Sequence, residues 1–435
     1  MKIGKLALMS GVCAFAALGA AQAKTGSAAS SDAAATSAAM TSYDVGQRPL
    51  VLAQNDSASP STGDLEARIS ALEEELQNAE VNMAKVANNP PPPPSGWWSN
   101  TSISGRMYFD VTNINNKANG VRVAGGGNGT NFDIKRFYIG IDHTFNSIFS
   151  ANVTTDTTYD SGSSAGQIYL KKAYLQAKID PALTIRIGAA DLPWVPYAEG
   201  LYGMRYFENV MIDHSKFGTS SDWGVHALGS LLDGVVNYDV AVINGGGYKK
   251  IPVGGGTNRF DQFDFEGRVS AVYQGFNLGV GGYTGKLGTA YGTTTNHTAD
   301  RFDVVGAYVA NGLRVGVEYF NASDYSAALV ASSGAGDKGE GVSAFASYYF
   351  LPEWAAFARY DSVDTNKTTA PNKNDEYYTL GLTWSPTKIV DFSLAYKHEA
   401  VRGGSFGSSN GTIGSATGAM RGSYNEIGIW GDFQW

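Results

Sequence analysis

Ile427-Gly428-Ile429-Trp430-Gly431-Asp432-Phe433-Gln434-Trp435 ends the sequence, and it alternates. In an extended chain successive side chains point to opposite faces, so Ile427, Ile429, Phe433 and Trp435 share one side. An alternating strand with a terminal aromatic supports a barrel of some kind.

The same period recurs upstream. Ile103, Met107, Phe109 and Val111 oppose Ser104, Arg106, Tyr108 and Asp110. Phe137, Ile139 and Ile141 oppose Arg136, Tyr138 and Asp142, while Leu313, Val315, Val317 and Tyr319 oppose Arg314, Gly316 and Glu318. The connections alternate in length. Asn146-Ser147, Asp180-Pro181-Ala182, Asp233-Gly234, Gln274-Gly275, Asn311-Gly312, Pro352-Glu353 and Ser385-Pro386-Thr387 are short. The stretches near 114–131, 245–260, 287–298, 324–339 and 400–423 are long and polar. Short periplasmic turns alternating with long external loops predict a transmembrane antiparallel β-barrel. The segments number about sixteen, beginning near 102, 132, 148, 167, 183, 222, 235, 261, 276, 299, 313, 340, 354, 374, 389 and 424. An even number puts both barrel ends on the periplasmic side, and a barrel this size encloses water instead of a packed core.

Composition agrees. Aromatic residues make up 12%, glycine occurs 54 times and charged residues are only 17%, which suits an exported all-β chain. A net charge of −8 argues against a nucleic-acid partner. The single cysteine, Cys13, removes disulfides, cysteine zinc clusters and a thiol nucleophile from the mature chain.

Residues 1–23 read as a signal peptide: a basic start (Lys2, Lys5), an apolar run from Leu6 to Ala20, and Ala21-Gln22-Ala23 before the cut. The expected address is the bacterial outer membrane. Residues 24–61, rich in Ala, Ser and Thr, read as disordered. Over residues 62–89, Leu65, Ile69, Leu72, Leu76, Ala79 and Met83 recur in steps of four and three, which predicts a periplasmic coiled-coil helix with partner helices. Pro90 to Pro94 predicts a stiff linker over 90–96, and the barrel domain follows over 97–435.

One external connection differs from the others. Residues 191–221 carry Leu192, Trp194, Tyr197, Leu201, Tyr202, Met204, Tyr206, Phe207, Met211, Ile212 and Phe217, which are costly to expose. This loop is expected to fold into the barrel and narrow it, with Arg205, Glu208, Asp213, His214 and Lys216 facing the remaining passage.

The run Lys135-Arg136-Phe137-Tyr138-Ile139-Gly140-Ile141 resembles the phosphate-selective porin O and P family. So do Leu170-Lys171-Lys172-Ala173-Tyr174-Leu175, residues 183–191 (LTIRIGAAD) and 202–224 (YGMRYFENVMIDHSKFGTSSDWG). The resemblance implies a homotrimer of sixteen-stranded barrels with an inward third loop, often conducting anions and in some members binding phosphate through arginines and lysines. The candidate channel-lining residues are Arg106, Arg136, Lys172, Arg186, Arg205, Lys216, Arg268, Arg314 and Arg359. Asp110, Asp142, Asp239, Glu266, Glu318 and Asp361 share that inner face, so wall ion pairs compete with an ion path.

The predicted function is passive diffusion of small hydrophilic solutes. The expected surroundings are outer-membrane lipid, the solutes or anions such as phosphate, and the barrel-assembly machinery that reads the terminal strand. A sugar-specific channel, with Tyr138, Tyr174, Tyr349 and Trp430 as a slide, is the nearest alternative; a barrel enzyme and an envelope tether are others. No enzyme, cofactor or metal is expected. Gly403-Gly404-Ser405-Phe406-Gly407 and Gly407-Ser408-Ser409-Asn410-Gly411 match a nucleophile elbow without its strand–helix context, and the five histidines lack metal-ligand spacing.

Overall fold

The computed structural model describes residues 96–123, 127–160, 165–250, 259–414 and 421–435, together with 63, 68–78 and 80. The chain divides into two units, residues 29–99 and the barrel. In the first, residues 68–78 are helical, and Ile69, Leu72 and Leu76 are exposed. The expected signal peptide, residues 24–61 and the proline run lie outside the described residues.

Sixteen antiparallel strands form the barrel: β1 Thr101–Ala118, β2 Gly129–Thr144, β3 Phe149–Asp160, β4 Ala165–Asp180, β5 Leu183–Asp191, β6 Ser221–Leu231, β7 Val236–Ile243, β8 Asp264–Tyr273, β9 Phe276–Gly285, β10 Ala299–Ala310, β11 Leu313–Ser323, β12 Lys338–Leu351, β13 Trp354–Asp364, β14 Asn374–Thr387, β15 Val390–Arg402 and β16 Arg421–Gln434. Each start lies within three residues of the position that alternation predicts. Each strand pairs with its neighbour, and β1 pairs with β16, which closes the sheet. At the seam, backbone bonds of 3.1 Å run both ways between Gly105 and Trp435. A Cβ at Gly105 would lie 1.8 Å from the Trp435 ring, so any other residue there would displace that ring from the seam.

The short turns use the backbone that hairpin twist requires. Asn311 and Gly312 have φ of 54° and 75°, the left-handed pair that joins right-twisted strands. The outward face is apolar: Ile103, Ile139, Ile141, Leu175, Ile187, Leu278, Val317, Leu394, Ile427 and Ile429 are all exposed. An apolar ring of this extent is stable only against lipid. At the short-turn end, Trp354 stacks on Trp384 and Trp384 on Phe392, and Trp435 lies against Phe137 and Phe433, as an interface girdle does.

Besides register shifts beside short turns, at Lys178/Asp180, Tyr349/Leu351 and Trp384/Thr387, two bulges lie within strands. The β1–β2 register shifts so that Lys135 has no opposite residue, and the β3–β4 register does the same at Lys171. A bulged residue loses the strict alternation of its strand.

Candidate functional site

The connection after β5 carries two helices, α1 Val195–Tyr202 and α2 Met211–His214. It lies inside the barrel. Trp194, Val195, Phe207, Met211 and Ile212 have at most 1% exposure and pack on inward residues including Phe320, Phe345, Phe357 and Trp430. Phe207 meets Phe357 and Trp430 edge-on, with ring centroids 5.0 and 4.7 Å apart.

Polar groups of the wall hold the loop backbone. Arg268 donates to the Pro193 carbonyl (2.8 Å), Arg314 to Gly200 (2.8 Å), Arg359 to Asn209 (2.5 Å), Arg301 to Phe217 (2.7 Å) and Lys397 to Phe207 (3.2 Å). The Trp194 indole donates to Glu318 at 2.8 Å, and its backbone N–H to Glu266 at 3.1 Å. These cations come from β8, β10, β11, β13 and β15, so one half of the wall is committed to carrying the loop. Three residues expected to line the channel therefore have another occupation. Arg268 and Arg314 hold loop carbonyls, and Arg359, 3% exposed and 2.5 Å from Asp361, is buried beneath the loop.

The opposite half, β1 to β5, keeps Arg106, Lys135, Arg136, Lys172 and Arg186 partly accessible, whereas Lys171 is buried. Arg106 pairs with Asp432 at 2.6 Å and Arg136 with Asp156 at 2.7 Å, while Lys172 pairs with Asp191 at 2.5 Å. Arg186 donates to Gln176 (2.8 Å) and lies over Tyr174. On the loop, Arg205 pairs with Glu199 at 2.5 Å, and Lys216 is exposed with a positive φ of 63°. Of the proposed aromatic slide, Tyr138 and Tyr174 stay on this wall. Trp430 is instead fully buried under Phe207, and Tyr349 sits at the short-turn rim near Ser385.

Strict alternation hides two members of this wall. It brings Arg136 and Lys172 inward but assigns Lys135 and Lys171 to the lipid side. The bulges turn both inward: Lys135 lies 3.7 Å from Asp110, and Lys171 donates to Ser220 at 2.9 Å beneath the rings of Tyr138 and Tyr248. The readable signal was a basic doublet in each strand, since an outward lysine would face lipid.

A buried polar cluster ties the loop to β14, β15 and β16. Lys397, with no exposed surface, sits 3.0 Å from Glu208 and 3.2 Å from Glu426. His214 Nδ1 is 3.4 Å from Glu208 and Nε2 is 3.4 Å from Glu399. Burial alone would raise Glu208, yet Lys397 and His214 hold it well below the carboxylate range. Burial likewise opposes charge on His214, but Glu399 and Glu208 outweigh it and lift the imidazole to about 10. Ser409 lies 2.5 Å from His214 Nδ1 and donates to Glu208 at 2.8 Å. Nδ1 keeps its hydrogen in this network and cannot take one from Ser409, so the pair is not an activated nucleophile.

No family model matches the chain, and no curated protein matches it. Solved structures share the fold. OmpT, described as an outer membrane protein of Vibrio cholerae in trimer form, is 13% identical with a TM-score of 0.52, over 77% of this chain and 99% of that one. The outer membrane channel DcaP of Acinetobacter baumannii is 12% identical with a TM-score of 0.54, over 77% and 97%. An anion-selective porin from Comamonas acidovorans is 12% identical with a TM-score of 0.54, over 77% and 99%.

Proposed function

We propose that the chain is an outer-membrane porin: a water-filled, passive channel for small hydrophilic solutes, narrowed by the inward loop and favouring anions. It is not an enzyme in this reading. The observation that carries the proposal is the division of the inner wall. The β8–β15 half is covered by the loop and its cations are spent on loop carbonyls. The β1–β5 half keeps Arg106, Lys135, Arg136, Lys172 and Arg186 beside the space that remains, with Lys171 buried behind them against Ser220, and Arg205 and Lys216 on the loop's side. Basic side chains along one wall of a low-dielectric passage concentrate anions and speed their entry. Guanidinium groups suit phosphate through paired hydrogen bonds, and lysines act as point charges. The likeness to an anion-selective porin fits this reading, as does the resemblance to the phosphate-selective family; the trimeric likeness fits a homotrimer.

The test is planar-bilayer recording of the purified protein. Discrete conductance steps and a reversal potential of anion-selective sign in a KCl gradient are expected. Phosphate should reduce the chloride current. The double variant Lys135→Gln/Lys171→Gln should move the reversal potential toward cation selectivity without abolishing the steps. Absence of steps rules out the channel, and an unchanged reversal potential removes the doublets from the ion path. A sugar channel is the second reading, favoured by Tyr138 and Tyr174, which stay partly exposed on the same wall. Liposome swelling that prefers sugars over similar-sized ions would support it.

A further inference from the structure

His214, Asp375 and Glu399 come from α2, β14 and β15, and their ligand atoms all lie within 4.8 Å of one another. None is more than 2% exposed. Two carboxylates brought together away from water need either a shared proton or a positive centre between them. Lys397 is committed to Glu208 and Glu426 and Arg359 to Asp361, which leaves the His214 imidazolium, or an ion in place of its Nε2 proton, as the positive centre here. Neither oxygen of Asp375 meets a hydrogen-bond donor among the described residues, and Glu399 Oε1 meets none either. The other oxygen of Glu399 accepts from Asn410 at 2.8 Å.

The imidazole is oriented as a ligand. Nδ1 is engaged by Ser409 and Glu208, which assigns its hydrogen to that side and turns Nε2 toward Glu399 and Asp375. A carboxylate or hydroxyl behind the far nitrogen is the usual support of a metal-bound histidine. Nε2 and the Glu399 oxygen are 3.4 Å apart, too long for a good hydrogen bond. Two ligands on a tetrahedral ion with bonds of about 2.0–2.1 Å are separated by about 3.3–3.4 Å.

We propose that His214 Nε2 and the carboxylates of Asp375 and Glu399 bind one divalent first-row transition-metal ion, pinning the inward loop to β14 and β15. One nitrogen and two carboxylates suit Zn2+ or a neighbouring ion, whereas Ca2+ needs six to eight oxygens. The ion takes the place of the imidazole proton at Nε2. Its role is structural: the loop's second helix is fastened to the wall on the side away from the basic passage.

Zn2+ is the probe. The full-length protein, folded in detergent and stripped with a chelator, is titrated with Zn2+ against a chromophoric competitor. One ion per chain is expected, with submicromolar affinity and a raised unfolding temperature. X-ray absorption of the complex should show only nitrogen and oxygen ligands at about 2.0–2.1 Å. Asp375→Asn combined with Glu399→Gln should weaken binding at least about 100-fold, and His214→Gln should act alike. The proposal is overturned if folded, stripped wild-type protein binds no Zn2+ at micromolar concentration. It is equally overturned if the double variant binds as tightly as the wild type. Because the first measurement needs no variant, a misfolded mutant cannot obscure the answer.

Discussion

Lys397 is a charge without exposed surface, held between Glu208 and Glu426. Such a pairing contributes little compared with an apolar substitute, but breaking it leaves carboxylates buried without their counter-charge. Lys397→Met should therefore cost about 3–5 kcal/mol, read as a shift of the denaturant midpoint of the folded protein in detergent. A shift near zero would mean that water reaches Glu208. Asp337 gives the fold a response to acid. Burial would raise it, but hydrogen bonds from Thr369, Asn366, the Thr368 N–H and the Lys338 N–H outweigh that and hold it at about 2. Its ordinary value is 3.8, so its contribution is complete above pH 3.8 and disappears as pH falls through about 2. Asp337→Asn should flatten the fall in unfolding temperature between pH 4 and pH 2. In hydrogen exchange the Thr368 and Thr369 amides should lose protection in that variant; retained protection would show that the loop does not depend on the carboxylate.

At the scale of elements, the inward loop is a small apolar core built inside a hollow barrel. Phe207 is its centre, with no exposed surface and two ring partners on the wall. Phe207→Ala should cost up to about 3–5 kcal/mol through lost burial and the cavity left behind. A loosened loop obstructs less, so single-channel conductance should rise and fluctuate more; unchanged conductance would mean that the loop does not set the narrow point. That an apolar loop would seek the interior was legible in residues 191–221, because such residues have no stable place in water. What holds the loop was not. Arg268, Arg301, Arg314, Arg359 and Lys397 lie on five strands spread over more than a hundred residues, and each donates to a carbonyl that no side-chain pattern marks. The strands were legible because alternation is local. The bulges were not, because one extra residue, Lys135 or Lys171, changes the face of its side chain without altering composition. The grouping of His214, Asp375 and Glu399 was not legible for a related reason: spacing along the chain does not mark residues that only the closed sheet brings together.

At the scale of the whole molecule, the barrel and the N-terminal helix have different sources of stability. The sheet is closed by its own β1–β16 pairing, so it leaves no strand edge that needs a partner. The helix has no such closure. Ile69, Leu72 and Leu76 are 55%, 64% and 63% exposed, an apolar stripe left in water within its own unit. An isolated helix of this length is marginal, and burying each such side chain against like helices contributes about 1.5–3 kcal/mol. We therefore propose that the stripe serves association between copies and not folding of the barrel. Deleting residues 62–94 should leave a barrel that folds, shows heat-modifiable mobility in electrophoresis and conducts in bilayers. The same deletion should lower the temperature at which the oligomer dissociates, and Leu72→Asp combined with Leu76→Asp in the full chain should reproduce that drop. Failure of the deleted chain to fold would make the appendage part of the barrel's own stability. An unchanged dissociation temperature in both variants would show that the barrels associate through their walls alone.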